Sequence, residues 1–284
     1  LWERPEITTA TGVALGGSLG FATKGTEVYQ LDLETGSAIH ARAGRPVEGL
    51  AIRGDLVYAV GPGFLHVFRA GDVLAPLGRV EAPGSGGAGA RPRRLFLDGN
   101  RLYATQTLGF NVFDLTNPAA PVLLVDVRTE QAGWRQFVPV GNGLALAADG
   151  PNSTEDGPHD ISLYRQSSNG QDIQFISTFV TPGSAYAVSA AGGRAFVADG
   201  IAGLTVINFL PPDLAGAPPS AAVIVDSDTV PPRIEGAGVA RITAAVSDDV
   251  ATRLVQLFID GQLAAVDDSY PFEIFTPVPP ASPP

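Results

Sequence analysis

A Gly/Asp/Asn turn followed at once by a short apolar strand occurs five times in this chain, and that recurrence constrains the fold more than any other feature. The copies are Gly16-Gly17 before Leu19-Gly20-Phe21, Gly54-Asp55 before Leu56-Val57-Tyr58, Gly99-Asn100 before Leu102-Tyr103, Gly141-Asn142 before Leu144-Ala145-Leu146, and Gly192-Gly193 before Ala195-Phe196-Val197. Their second turn residues are 17, 55, 100, 142 and 193, so successive copies lie 38, 45, 42 and 51 residues apart. A second strand follows each turn by roughly ten residues: 28–32, 65–68, 110–114, 161–164 and 204–207. These segments carry β-branched and aromatic residues at period two, with Gly and Pro between them, which favours a propeller over a helical solenoid of similar period.

The stretch 93–127 shows the unit at its clearest. Leu95-Phe96-Leu97 is a brief apolar run, Asp98-Gly99-Asn100 a turn, and Leu102-Tyr103-Ala104 a second strand. A third strand alternates over Phe110-Asn111-Val112-Phe113-Asp114, Asn117-Pro118 turns the chain, and 122–127 closes the unit. Strand and turn at this rhythm describe an antiparallel meander. One such sheet has two apolar faces and cannot bury both alone. Copies stacked at about 40 to 50 residues give an all-β fold of four-stranded propeller-type blades, about five of them over 11–210. Five is at the low end for a closed ring, and a ring with further blades upstream would be open in this chain.

The string LGFNVFDLTNPAAPVLL resembles the LVIVD-type repeat of bacterial surface propellers, through Val112, Phe113, Asp114, Leu115, Thr116, Asn117, Pro118 and Pro121. The second copy has Phe68-Arg69-Ala70-Gly71-Asp72 at that place, and the first, 28–36, is closer to a quinoprotein-type repeat. Farther on, Asp228-Thr229-Val230-Pro231-Pro232, Ser247-Asp248-Asp249, Leu257-Phe258-Ile259-Asp260-Gly261 and Tyr270-Pro271-Phe272 resemble, in order, the motifs of bacterial Ig-like modules. The resemblance implies a small β-sandwich at the C-terminal end. The domain reading is therefore a lead-in at 1–10, repeats over 11–210, a Pro-rich linker over 211–230, and a partial Ig-like module over 231–284. Within the linker region, 221–225 is apolar and fits either a last propeller strand or a crossing segment. Asp260-Gly261 predicts a tight hairpin.

About four strands can be counted from 234 to 274, against the seven or so of an Ig sandwich. The stretch TPVPPASPP at 276–284 is too rich in proline to continue a paired strand. The expectation is that the polypeptide continues beyond Pro284, or that another chain adds the missing strands. Without them, edges and side chains such as Leu257 and Phe272 would stand uncovered.

A net charge of −11 argues against a nucleic-acid partner, which calls for clustered Lys and Arg. Arg91, Arg93 and Arg94 form the one tight basic group and read as a lead-in to a strand. There is no Cys, so no disulfide framework, thiol nucleophile or thiolate-bound zinc is available. No apolar run approaches the ~18 residues of a membrane helix. The chain opens Leu1-Trp2-Glu3-Arg4-Pro5 without Met or a signal-like segment, and reads as processed or as an excerpt.

The candidate chemistry is sparse. His40, His66 and His159 have no metal-motif spacing, and His159-Asp160 lacks a Gly-x-Ser-x-Gly nucleophile elbow. Asp248-Asp249 and Asp267-Asp268 read as turn caps, and Asp32 and Asp114 alone occupy matched places in two copies. The polar insertion at 149–160 offers Asp149, Asn152, Glu155, Asp156 and Asp160 as hard oxygen ligands, a possible Ca²⁺ loop without the EF-hand spacing. No other cofactor is expected. The functional expectation is a non-enzymatic extracellular or cell-surface module, a propeller presented on Ig-like spacers. Its partner would be a protein or glycan, or a copy of itself joined through the C-terminal edge. The alternative is a propeller-based hydrolase or quinoprotein-like oxidoreductase with its site at the central channel.

Overall fold

The computed structural model describes residues 5–84, 93–129, 133–149, 160–167, 171–210, 215–225, 239–250 and 252–277. It is almost entirely β, with two single 3₁₀ turns, Pro5–Ile7 and Gly200–Ala202, among the described residues. No helix among them is long and apolar enough to cross a membrane.

Each repeat is one antiparallel sheet whose strands are consecutive in the chain. The first contains β1 (Gly12–Gly16), β2 (Leu19–Lys24), β3 (Glu27–Asp32) and β4 (Ala38–Arg42). The second contains β5 (Gly49–Arg53), β6 (Leu56–Gly61), β7 (Gly63–Arg69) and β8 (Ala75–Ala82). The third runs β9 (Leu95–Asp98), β10 (Arg101–Gln106), β11 (Gly109–Asp114), β12 (Val122–Arg128). The fourth runs β13 (Gln136–Gly141), β14 (Leu144–Ala148), β15 (Ile161–Gln166), β16 (Ile173–Phe179). The five sequence turns open the second strand of each sheet, as the repeat demands. The fifth sheet has three strands: β17 (Ala187–Ala191), β18 (Arg194–Ala198) and β19 (Leu204–Asn208).

The fourth strand that a full blade would need is used elsewhere. β20 (Ser220–Val225), the apolar stretch that sequence left between two roles, pairs antiparallel with β21 (Val239–Ser247). On its other side β21 pairs with β24 (Glu273–Pro277), while β22 (Val255–Ile259) and β23 (Gln262–Asp267) form a separate hairpin. The hairpin turns at Asp260 and Gly261, with φ of 50° and 78°, the left-handed pair that a two-residue turn requires. The C-terminal unit thus recruits residues from the stretch that composition marks as linker.

Sheets stack face to face, and the middle strands of sheets one to four are largely buried on both faces, whereas β18 of the fifth is buried on one face only. Every residue of β6 and β14 is buried. Phe21, Val57 and Phe68 pack between sheets one and two, and Leu65, Leu102 and Phe113 between two and three. An aromatic cluster fills the space between three and four: Phe110 stacks on Phe137 at 4.1 Å between centroids, with Trp134 5.7 Å from Phe110. Leu146, Ile161 and Val197 pack between four and five. Each such side chain contributes about 1.5–3 kcal/mol by leaving water.

β1 lies beside β5, β5 and β13 both lie beside β9, and β13 lies beside β17, so first strands line the axis. No comparable contact joins β17 to β1 among the described residues. The ring is open there, and Val13 and Leu15 on β1 are 76% and 77% exposed.

The joint between sheets two and three is polar at its centre. Arg93, only 2% exposed, donates from Nε to the Thr105 carbonyl (2.8 Å) and from Nη1 to the carbonyls of Ala82 (2.8 Å) and Gly61 (3.4 Å). Its Nη2 donates to Asn111 Oδ1, and Asn111 donates in turn to Asp126 Oδ1 at 2.9 Å. The guanidinium therefore ties the ends of two sheets together, and burial pushes its pKa down to about 10.

Candidate binding cleft

The turns between first and second strands of sheets three, four and five all emerge at one end of the stack. The C-terminal unit sits on that end. Asn142 Nδ2 donates to the Asp248 carbonyl at 3.0 Å, and Gly192 N–H donates to the Asp268 carbonyl at 2.8 Å. The Tyr270 hydroxyl donates to Asp98 Oδ1 across 172 residues of sequence. Gly141, at φ 91°, lies under the Tyr270 ring, and a Cβ there would stand 3.2 Å from Cδ2. Phe272, expected to be uncovered, is 4% exposed. It meets Tyr270 edge to face at 5.8 Å and is held inside the seam between the C-terminal unit and the propeller sheets. Leu257 is half-buried.

Asp98 and Tyr270 form a wall between two chambers. On one side is an apolar groove of about 440 Å³, bounded by Ala222 and Ile224 of β20, Ala244 and Val246 of β21, and Phe272. On the other is a polar pocket of about 210 Å³ between sheets three and four, where Arg101, Tyr103 and Gln166 join the same pair. Asp98 is fixed at the end of β9, cross-strand from Arg101. Burial raises the Asp98 pKa and Glu273 adds to the rise, while the Tyr270 hydroxyl and Arg101 act against it. Burial, then Asp98, pushes the Tyr103 phenol up to about 12, and burial carries Tyr270 upward as well. Both phenols therefore stay protonated near neutrality and act as donors. Together the pocket offers a carboxyl, a guanidinium, two phenols and an amide, a set suited to orienting a ligand by hydrogen bonds.

The residues singled out by sequence lie elsewhere. Asp149 and Asp160 are both buried and pinch the ends of their insertion, Asp149 N–H donating to the Asp160 carbonyl at 2.9 Å. Asn152, Glu155 and Asp156 of the possible Ca²⁺ loop lie outside the described residues, as does His159. The matched Asp32 and Asp114 cap turns. Asp32 Oδ1 accepts from Thr35 N–H (2.7 Å) and Glu34 N–H (2.9 Å), and Asp114 Oδ1 accepts from the Thr116 hydroxyl (2.7 Å) and N–H (2.8 Å). These bonds hold both carboxyls below the usual range. Asp267 caps Ser269 N–H at 3.0 Å and Glu273 N–H at 2.8 Å. His40 stands 3.9 Å from Glu27 at the surface. His66 is buried between Phe64 and Phe68, and burial, then Arg79 and Arg45, lowers its pKa.

Among the described residues no three His, Cys, Asp or Glu side chains gather closely enough to hold a metal. Sequence reasoning missed Asp98, Arg101, Tyr103, Gln166 and Tyr270 as a group. Asp98 and Tyr270 each stand inside a motif noticed for other reasons, but nothing local signals that the two motifs meet.

Neither a family model nor a curated protein matches the sequence. Among solved structures, the chain is similar to a functionally unknown protein from Desulfotomaculum acetoxidans, with TM-score 0.55 and 14% identity over 70% of this chain and 68% of that one. It is also similar to a protein from Lactobacillus plantarum, with TM-score 0.51 and 16% identity over 95% and 88% of the two chains. At these identities the likeness concerns the fold alone.

Proposed function

We propose that this chain is a non-enzymatic interaction module of the cell surface or extracellular space, in which LVIVD-type propeller sheets are presented by an Ig-like unit and bind a glycan or protein. One observation carries the reading. The seam between the two units is built as a cleft, with side chains from sheets three and four and from the C-terminal unit converging on it at fixed places. Ligand sites favour such inter-unit seams. The groups in the cleft are donors and acceptors of hydrogen bonds, and the one carboxyl among them is engaged by a phenol.

The Ig-like assignment draws on strand order. β20, β21 and β24 match the A, B and E strands of one sheet of that sandwich, and β22 the C strand of the other. Among the described residues β22 pairs only with β23, so its outer edge offers a place for a partner strand by addition.

The test is a binding screen on immobilised glycans and surface proteins, run beside esterase, glycosidase and dye-linked dehydrogenase assays on the same sample. Binding without turnover is the expected result. Turnover that disappears on changing Glu48, which directly precedes the axis-lining β5 and accepts from Arg93 N–H at 2.9 Å, to Gln overturns the proposal.

A further inference from the structure

We infer that the 210 Å³ pocket between sheets three and four takes one neutral pyranose ring, the terminal sugar of a glycan. This rests on the interaction-module reading and names its ligand class.

Polar side chains that line the pocket set what it can hold. Gln166 stands beside the Tyr103 phenol, and both side chains line the pocket. Tyr103 is 3% exposed, and the surface left to it faces this pocket. Asp98 accepts from the Tyr270 hydroxyl at Oδ1 and lines the same pocket. Arg101 has no carboxylate within ion-pair distance among the described residues, though it shares the pocket with Asp98.

A ligand for this pocket has to match that mixture of groups. Asp98 offers acceptor oxygens, Arg101 only donates, and the Tyr103 hydroxyl and the Gln166 amide group each supply both. Adjacent hydroxyls on one ring present donor and acceptor side by side and match that mixture. A carboxylate or phosphate would face Asp98 at close range. An aliphatic ligand would leave the polar groups dry. Leu144 and the Tyr270 ring supply apolar wall for the C–H face of a sugar. The size agrees: at ~30 Å³ per water the space holds about seven waters, the bulk of one hexose.

The experiment uses the full chain with methyl glucoside, methyl mannoside, methyl galactoside and N-acetylglucosamine as probes, and sorbitol and glucuronate as controls. Saturation-transfer NMR and calorimetry read binding, and the Gln166 side-chain amide signals report the site in the unaltered protein. The expected result is binding of at least one pyranoside, a shift of the Gln166 amide signals, and weaker binding of both controls. Tyr103→Phe and Gln166→Leu should each weaken binding at least tenfold without lowering the melting temperature, while Arg79→Ala leaves it unchanged. Absence of binding by all four pyranosides, unmoved Gln166 signals, or affinity in both variants equal to that of the parent overturns the assignment. Glycan binding that persists in both variants removes this pocket and leaves the interaction module standing, whereas turnover of a screened substrate removes the module reading itself.

Discussion

Asn142 and Asp248 close a reciprocal pair across the seam: the Asn142 amide donates to the Asp248 carbonyl at 3.0 Å, and Asp248 N–H donates back to Asn142 Oδ1 at 3.4 Å. Asn142 holds φ 52°, a region Gly also tolerates. Asn142→Gly therefore removes the latch without straining the turn. It should cost about 1–2 kcal/mol, read as faster amide exchange over 239–277 with little change in sheets one and two. Equal exchange in the variant and the parent would show that the pair does not hold the seam.

Asp98 makes the seam pH-dependent. Its folded pKa lies above the unfolded value of about 3.9, so the native state prefers the neutral carboxyl. Its contribution is full below the unfolded pKa and is lost as pH rises through the folded one. Tyr270, Arg101 and Glu273 are the groups that face it, with Tyr103 nearby. Asp98→Asn keeps an acceptor for Tyr270 and removes the charge. The urea midpoint of the variant minus that of the parent should grow from pH 4 toward pH 7. A difference independent of pH would contradict this, and taking the difference cancels the opposite trend of Asp32 and Asp114.

Arg93 cannot be replaced by Lys. Its fork serves three carbonyls and Asn111 at once, and an ammonium has three donors without that geometry. Arg93→Lys and Arg93→Met should each cost about 3–5 kcal/mol, the range for removing one partner from a buried charged network. Urea unfolding decides it, and a loss under ~1 kcal/mol in either variant would sink the prediction.

Gly61 is required by contact, not by turn geometry. A Cβ there would lie 1.8 Å from the carbonyl oxygen of Pro46, in the segment joining sheets one and two. Backbone cannot swing aside as a side chain would. Gly61→Ala should lose about 1–3 kcal/mol, whereas Gly78→Ala, whose Cβ would meet nothing within 4 Å, should be near neutral apart from its effect on the unfolded chain. Thermal melts of the two variants side by side test this.

The five sheets were legible because each is built from neighbouring sequence. A turn at Gly99-Asn100 and alternation through Phe110 to Asp114 are local signals, and the pairing they predict is local too. Asp260-Gly261 is the same kind of signal. The destination of β20 was not legible, since Ala221 to Val225 is apolar enough to complete either sheet five or the C-terminal sheet. The cleft was the least legible part. Asp98 reads as a turn residue and Tyr270 as half of a Tyr-Pro-Phe motif, and only tertiary docking brings them together. Turn acids such as Asp32 and Asp114 attracted notice because capping repeats with the turn, and a binding group need not repeat at all.

The continuity of each sheet in sequence has a mechanical consequence. Among the described residues no strand is exchanged between first and last sheets, so a pull on the amino end can peel sheet one, then sheet two, each as a unit of about 40 residues. At ~3.5 Å per extended residue, each release adds roughly 140 Å of contour. Sheets three, four and five differ, because Tyr270, Asp248 and Asp268 strap their turns to one body. Under load the amino-terminal half should yield in two separate steps and the remainder in one longer event, so that the seam acts as a clamp on the sheets that line the cleft.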